Sequence, residues 1–260
     1  PHCMEHDLME RVPGSYPDRK VQAAVIGDSF AYGEGIPRED TVSHLLSQKL
    51  PEVNFRNLGR PGADLEAARQ QLGDLVKVPA VSSIIYLYNL NDVFPPGDRP
   101  PDMVMYPELA SLYQGQTDAL RLVAMARRLW LEWRRSELVT NAYVHRYKSP
   151  AARERLDPAL DILAQMNRQA LEGGKQFLVV LYPLLHKTAG GEYPFEPAHR
   201  KVMDLCREHE IRCVDGYEAF RADRSLAAYR SHPADSHPNG RANARLVEYL
   251  LSRGAVRSSK

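Results

Sequence analysis

Residues 21–35 read "VQAAVIGDSFAYGEG" and change character halfway along. The first half is apolar but for Gln22, and a short apolar run closed by turn residues suits a buried strand. Gly27-Asp28-Ser29 then ends the strand and leaves a serine hydroxyl at its tip, ahead of two further glycines. What that hydroxyl does depends on what the rest of the chain brings to the same place.

Further apolar runs bounded by turn residues mark four more strands, at Val53–Leu58, Ser83–Tyr88, Phe177–Tyr182 and Ile211–Val214. Helix-like stretches separate or follow them, at about Glu39–Leu50, Ala63–Val76, Pro158–Leu171, Pro197–His209 and Asn239–Leu251. Strand and helix in alternation predict a parallel sheet covered on both faces. The expected architecture is a three-layer α/β/α domain with a flavodoxin-like, five-stranded parallel sheet.

Composition agrees with one folded unit. Of 260 residues, 43% are hydrophobic and 26% charged, which supports a sizeable core and argues against disorder. Lys and Arg (34) nearly cancel Asp and Glu (33), so no charge excess points to nucleic acid as a partner. No run approaches the roughly 18 apolar residues of a membrane span. The chain opens Pro1-His2-Cys3, without an initiator methionine or a charged-then-apolar leader. The expectation is a processed or trimmed product with a loose N-terminal arm over residues 1–20, and a domain over residues 21–260.

One segment breaks the alternation. Residues 93–150 form an insertion that opens with prolines and continues as the basic stretch "TDALRLVAMARRLWLEWRRSELV". We read it as a cap whose Trp130 and Trp133 pack on the domain. A membrane-surface helix is the alternative, and nothing else in the sequence indicates one. Cys206 and Cys213 read as two buried thiols on an αβ unit; a disulfide between them would imply an oxidising compartment. His186 and His199 read as surface histidines.

Ligands of open parallel sheets bind at the carboxyl ends of the strands, and the unusual residues fall in the loops there. Ser29 stands at a strand-to-helix turn, where backbone N–H groups favour developing negative charge. A plain N-cap serine reads equally well from the tripeptide alone. "GDSFAYGEG" lacks the Gly-Lys-Ser/Thr ending of a P-loop, and its spacing does not fit a dinucleotide fingerprint. In "NLGRPGADLE", Gly62 precedes a helix and can present a bare N–H, or simply make the turn. In "YLYNLNDVF", Asn91 ends a strand with an amide able to donate to an oxyanion, or caps a polar turn. In "SHPADSHPNG", Asp235 and His237 stand just before the last helix. There a histidine can take a proton from serine while a carboxylate holds its tautomer. Metal ligation by His232, Asp235 and His237 is the competing reading.

Four separated motifs in this order, "GDSFAYGEG", "NLGRPG", "NLND" and "DSHPNG", resemble the SGNH (GDSL-like) hydrolase superfamily over Val21 to Leu251. They look particularly like bacterial members acting on acyl esters of carbohydrates or lipids. The resemblance implies Ser29 as nucleophile, His237 as general base and Asp235 as its orienting partner. The oxyanion hole would comprise the Ser29 N–H, the Gly62 N–H and the Asn91 side chain. Phe30 stands where the family's name has leucine, and Asn89 where many members have glycine. Asp235 precedes His237 by two positions where many members have three.

The implied reaction is acyl transfer through a serine acyl-enzyme. The implied substrate is a small-molecule or glycan ester, and no metal or organic cofactor is implied. An O-acyltransferase on a polysaccharide and an inactive binding module on the same scaffold remain the alternatives. The missing leader and the resemblance suggest a secreted or periplasmic protein. The sequence leaves the oligomeric state open.

Overall fold

The structure is a computed structural model and describes residues 21–93, 126, 130, 150–185, 193–223, 225–232 and 235–257. The N-terminal arm, nearly all of the insertion with Trp133, and His186 lie outside these residues.

Five strands build one parallel sheet: β1 (Val21–Gly27), β2 (Val53–Asn57), β3 (Val81–Asn89), β4 (Gln176–Tyr182) and β5 (Cys213–Asp215). Their order is β2-β1-β3-β4-β5. β1 pairs with β2 in the register Val25↔Asn57 and with β3 in the register Val25↔Ile85. Ala23, Ala24, Val25 and Ile26 are therefore walled in on both sides and both faces, and none exceeds 1% exposure. A strand so placed has no solvent face, which is why its sequence runs apolar instead of alternating.

The helices are α1 (Ser29–Tyr32), α2 (Val42–Lys49), α3 (Leu65–Leu75), α4 (Pro150–Glu172), α5 (Glu196–Glu208) and α6 (Gly240–Ser252). α2 packs against α6 on one face of the sheet, while α3, α4 and α5 cover the other. The result is the expected three-layer α/β/α arrangement. Because β1 has β2 on one side and β3 on the other, the chain winds outward in both directions from β1. The crevice at the carboxyl end of β1 and β3 is the topological switch point, where ligands of such sheets bind.

The sequence and the structure part at several places. The fourth helix begins at Pro150, with Pro158 inside it. Proline favours a first helical turn but is not confined to it. The Asp235–His237 segment is not a plain loop. Arg230–His232 (β6) and Asp235–Pro238 (β7) pair as a small antiparallel sheet, with His232 opposite Asp235.

Cys206 and Cys213 are joined in a disulfide that ties the last turn of α5 to β5. This corrects the expectation of two free thiols. They stand seven positions apart, and the turn between α5 and β5 brings their Cα atoms to 6.1 Å, within bridging range.

His199 is no surface residue either: it is 0% exposed. Its Nδ1 lies 2.7 Å from Asp215 Oδ1 and its Nε2 3.1 Å from the Tyr193 hydroxyl. Tyr193 in turn accepts the Leu184 N–H at 2.9 Å, so a satisfied polar chain holds both ends of the segment after β4. Trp130 is 51% exposed, against the expectation that it packs on the domain.

Candidate active site

The site begins with Gly27. Its φ is +146°, and a Cβ there would stand 2.7 Å from the Leu87 carbonyl oxygen of β3. Only glycine lets β1 end this close to its neighbour. Asp28 follows, 1% exposed, and its Oδ1 accepts the Phe30 N–H at 2.9 Å, capping the single turn of α1. Ser29 is thereby projected from the carboxyl edge of the sheet.

What meets Ser29 comes from the far end of the chain. His237 Nε2 is 2.8 Å from Ser29 Oγ, and His237 Nδ1 is 2.5 Å from Asp235 Oδ1. The same Asp235 oxygen accepts the His237 backbone N–H at 3.0 Å. That second bond is available because only one residue separates the pair, so the shorter spacing closes an Asx-type turn on the histidine itself. A carboxylate, an imidazole and a hydroxyl thus form one continuous hydrogen-bonded chain.

One ring packs on the imidazole, and two asparagines fix the elements that deliver it. The Phe30 ring is tilted against it at 5.4 Å between centroids and meets Tyr182 edge-on at 5.3 Å. Phe30 therefore fills the space between the histidine and the core. Asn239 caps α6 by accepting the Ala242 N–H at 3.0 Å. Its Nδ2 donates to the Ala228 and Arg230 carbonyls at 3.0 and 2.9 Å, fastening the small β6–β7 sheet to the helix. Asn243, 0% exposed, accepts from the Tyr182 hydroxyl and donates to the Asp40 carbonyl, both at 2.9 Å. These bonds fix α6 against β4 and so fix where β7 delivers His237.

The electrostatics follow the contacts. Burial alone would lower the His237 pKa, but the hydrogen bond and charge of Asp235, with Glu34 and Asp28 nearby, outweigh it and raise it. Burial would likewise raise Asp235, yet its two hydrogen bonds from His237 and the charge beside it hold the carboxyl below its ordinary value. Arg230, buried on β6, feels the Asp235 charge; its desolvation nevertheless pushes the guanidinium down to about 10. Its Nε donates to the Leu185 carbonyl.

The other two expected site residues share this edge without a hydrogen bond to the Ser29–His237–Asp235 chain among the described residues. Gly62 lies exposed between β2 and α3 with φ +80°, a conformation that favours glycine, and among the described residues nothing beyond its chain neighbours lies within 4 Å of where a Cβ would be. Its loop is tied to β1 by the Arg60 N–H, which donates to the Gly27 carbonyl at 2.9 Å. Asn91 lies in a 3₁₀ turn over Leu90–Val93, and its N–H donates to Asn89 Oδ1 at 3.2 Å. Asp92, 2% exposed, accepts from the Tyr86 hydroxyl at 2.8 Å and the Asn89 N–H at 3.0 Å.

The sequence reading missed these supports. Sequence alone assigns Asn89 and Asp92 no supporting role, and both are buried at the end of β3. Glu34, whose Oε2 lies 3.6 Å from His237 Nε2, was missed as well. Its only signal was an acid five residues after the serine. Among the described residues, no group of three or more His, Cys, Asp or Glu side chains is arranged to hold a metal ion.

No protein-family model and no curated protein sequence matches the chain. Solved structures do. A member of the lipolytic protein G-D-S-L family from Veillonella parvula DSM 2008 superposes with a TM-score of 0.55 at 15% identity, covering 89% of this chain and 97% of that one. TesA gives a TM-score of 0.53 at 14% identity, covering 89% and 96%. The psychrotrophic esterase EstA from Pseudoalteromonas sp., inhibited by monoethylphosphonate, gives 0.50 at 10% identity, covering 89% and 94%. At these identities the likeness is one of architecture, and it extends over nearly the whole of each chain. The protein has the SGNH, or GDSL-like, hydrolase fold.

Proposed function

We propose that the protein is a serine-dependent carboxylic ester hydrolase acting on acyl or acetyl esters of a carbohydrate or lipid. The observation that carries this reading is the unbroken chain from Ser29 Oγ through His237 to Asp235 at the switch point of the sheet. Esterases and lipolytic proteins among the solved structures of the same fold support it.

In the proposed reaction His237 Nε2 takes the Ser29 proton as Oγ attacks the ester carbonyl. Asp235 holds the imidazole in the tautomer that leaves Nε2 free to accept, then stabilises the imidazolium. The Ser29 and Gly62 N–H groups and the Asn91 amide hold the oxyanion. The imidazolium protonates the departing alcohol, and water, deprotonated by the same Nε2, resolves the acyl-enzyme. We also place the protein in an oxidising, secreted or periplasmic setting, a reading supported by the Cys206–Cys213 disulfide.

The test is labelling with a fluorophosphonate beside assays on p-nitrophenyl acetate and acetylated glycans. We expect label on Ser29 and acetate release, both lost in Ser29→Ala with the circular dichroism spectrum unchanged. Acyl transfer to an added oligosaccharide would instead make the enzyme a transferase with the same triad. Near-full turnover by Ser29→Ala would overturn the nucleophile assignment.

A further inference from the structure

Among the described residues, Glu34 is the one carboxylate paired with the working nitrogen of His237 and not with its supporting side. Asp235 engages Nδ1, whereas Glu34 Oε2 lies 3.6 Å from Nε2, the atom that also touches Ser29 Oγ at 2.8 Å. A separation of 3.6 Å is too long for a hydrogen bond. It sets the carboxylate beside whatever oxygen approaches Nε2, without a direct bond between the two side chains.

The position is held by the nucleophile's own backbone. The Ser29 carbonyl accepts the N–H groups of Gly33 and Glu34 at 3.0 and 3.1 Å, closing α1 through Gly33 in the left-handed conformation. Glu34 is thus locked to Ser29 in sequence and in space, while its side chain stays half exposed. In any serine-dependent acyl transfer, the hydroxyl that leaves or enters must bond to Nε2 as the proton passes. That oxygen takes its place at Nε2, with Glu34 beside it and in reach of a hydroxyl on the neighbouring carbon.

We propose that Glu34 receives the alcohol half of the ester, accepting a hydrogen bond from a hydroxyl adjacent to the reacting oxygen and selecting neutral polyhydroxy alcohols over anionic ones. This rests on the hydrolase reading above. No proton is routed through Glu34 in the step: the Ser29 proton passes to Nε2 and from there to the departing oxygen. The other charges around the imidazole are Asp235 on its own strand, Asp28 ahead of α1, and Arg230 on β6 facing Asp235. Glu34 is the one of these placed at Nε2, and its charge there repels an alcohol bearing a carboxylate or phosphate.

The experiment compares kcat/KM for glycerol monoacetate, ethyl acetate and acetoxyacetate in wild type, Glu34→Gln and Glu34→Ala. The wild type should prefer them in that order. Glu34→Ala should lose about tenfold of the preference for glycerol monoacetate over ethyl acetate, the worth of one hydrogen bond to a charged acceptor. Glu34→Gln, which keeps an acceptor but no charge, should relax discrimination against acetoxyacetate by about three- to fivefold. Removing the charge should also shift the acid limb of kcat/KM on p-nitrophenyl acetate to lower pH by about half a unit. Unchanged ratios in both variants, with or without a shifted limb, overturn the proposal while the triad stands. A wild type that neither cleaves p-nitrophenyl acetate nor takes fluorophosphonate on Ser29 overturns the hydrolase reading itself.

Discussion

Ser29 and His237 lie 208 residues apart in the chain and 2.8 Å apart in space. The first is delivered by the loop after β1, the second by a two-stranded sheet that no periodicity in the sequence announces. The contact is made because α6 is pinned to β4 by Asn243 and to the β6–β7 sheet by Asn239. Those asparagines settle where the histidine arrives.

The pH dependence follows from the direction of the two shifts. His237 must be neutral to accept the serine proton, and its pKa is raised. The acid limb of kcat/KM should therefore lie above the ordinary histidine value of about 6.5. Asp235 is held below its ordinary range and stays ionised throughout. By linkage, the raised His237 stabilises the fold most below its unfolded pKa, and that contribution is lost as pH rises through the folded pKa. Asp235→Asn should remove the carboxylate that raises His237, moving the acid limb down, and cut kcat by about 10³- to 10⁴-fold, near the loss seen for the equivalent change in a serine protease. A limb below 6.5 in the wild type would contradict the raised pKa of His237.

Asn91→Ala should lower kcat with little change in KM, because an oxyanion donor acts on the transition state more than on the ground state. The expected loss is roughly 100- to 1,000-fold, as for one such donor in a protease. Asn89→Ala should not be benign. Its side chain is fully buried and accepts the Asn91 N–H, so its loss should both destabilise the fold and slow turnover by loosening Asn91. Steady-state kinetics with thermal melts separate the two: Asn91→Ala should keep the wild-type Tm, and Asn89→Ala should not. An unchanged kcat in Asn91→Ala would remove that residue from the site.

A peptide digest under non-reducing conditions, with free thiols alkylated, should yield Cys206 and Cys213 in one disulfide-linked fragment. Replacing both by alanine should cost about 2 kcal/mol of stability for so short a loop, or a fall in Tm of several degrees for a domain of this size. Activity should survive, since the bridge joins α5 to β5 and makes no contact with the triad. Two alkylated cysteines in the native digest would refute the bridge.

The sequence alone determined the layers and the sheet. Its apolar runs, their turn boundaries and the alternation of strand with helix follow from burial on both faces of a parallel sheet, a local pattern written residue by residue. It also singled out Ser29, His237 and Asp235, because four separated motifs in one order resemble a known family and Gly-Asp-Ser and Asp-x-His carry the residue types of the proposed triad. Only the tertiary structure decided what surrounds them. The burial of His199, the pairing of Cys206 with Cys213, the inward turn of Asn89 and Asp92, and the approach of Glu34 to His237 Nε2 all depend on which segments the sheet brings side by side. Those distances are set by packing between residues far apart in the chain, and no local pattern encodes them.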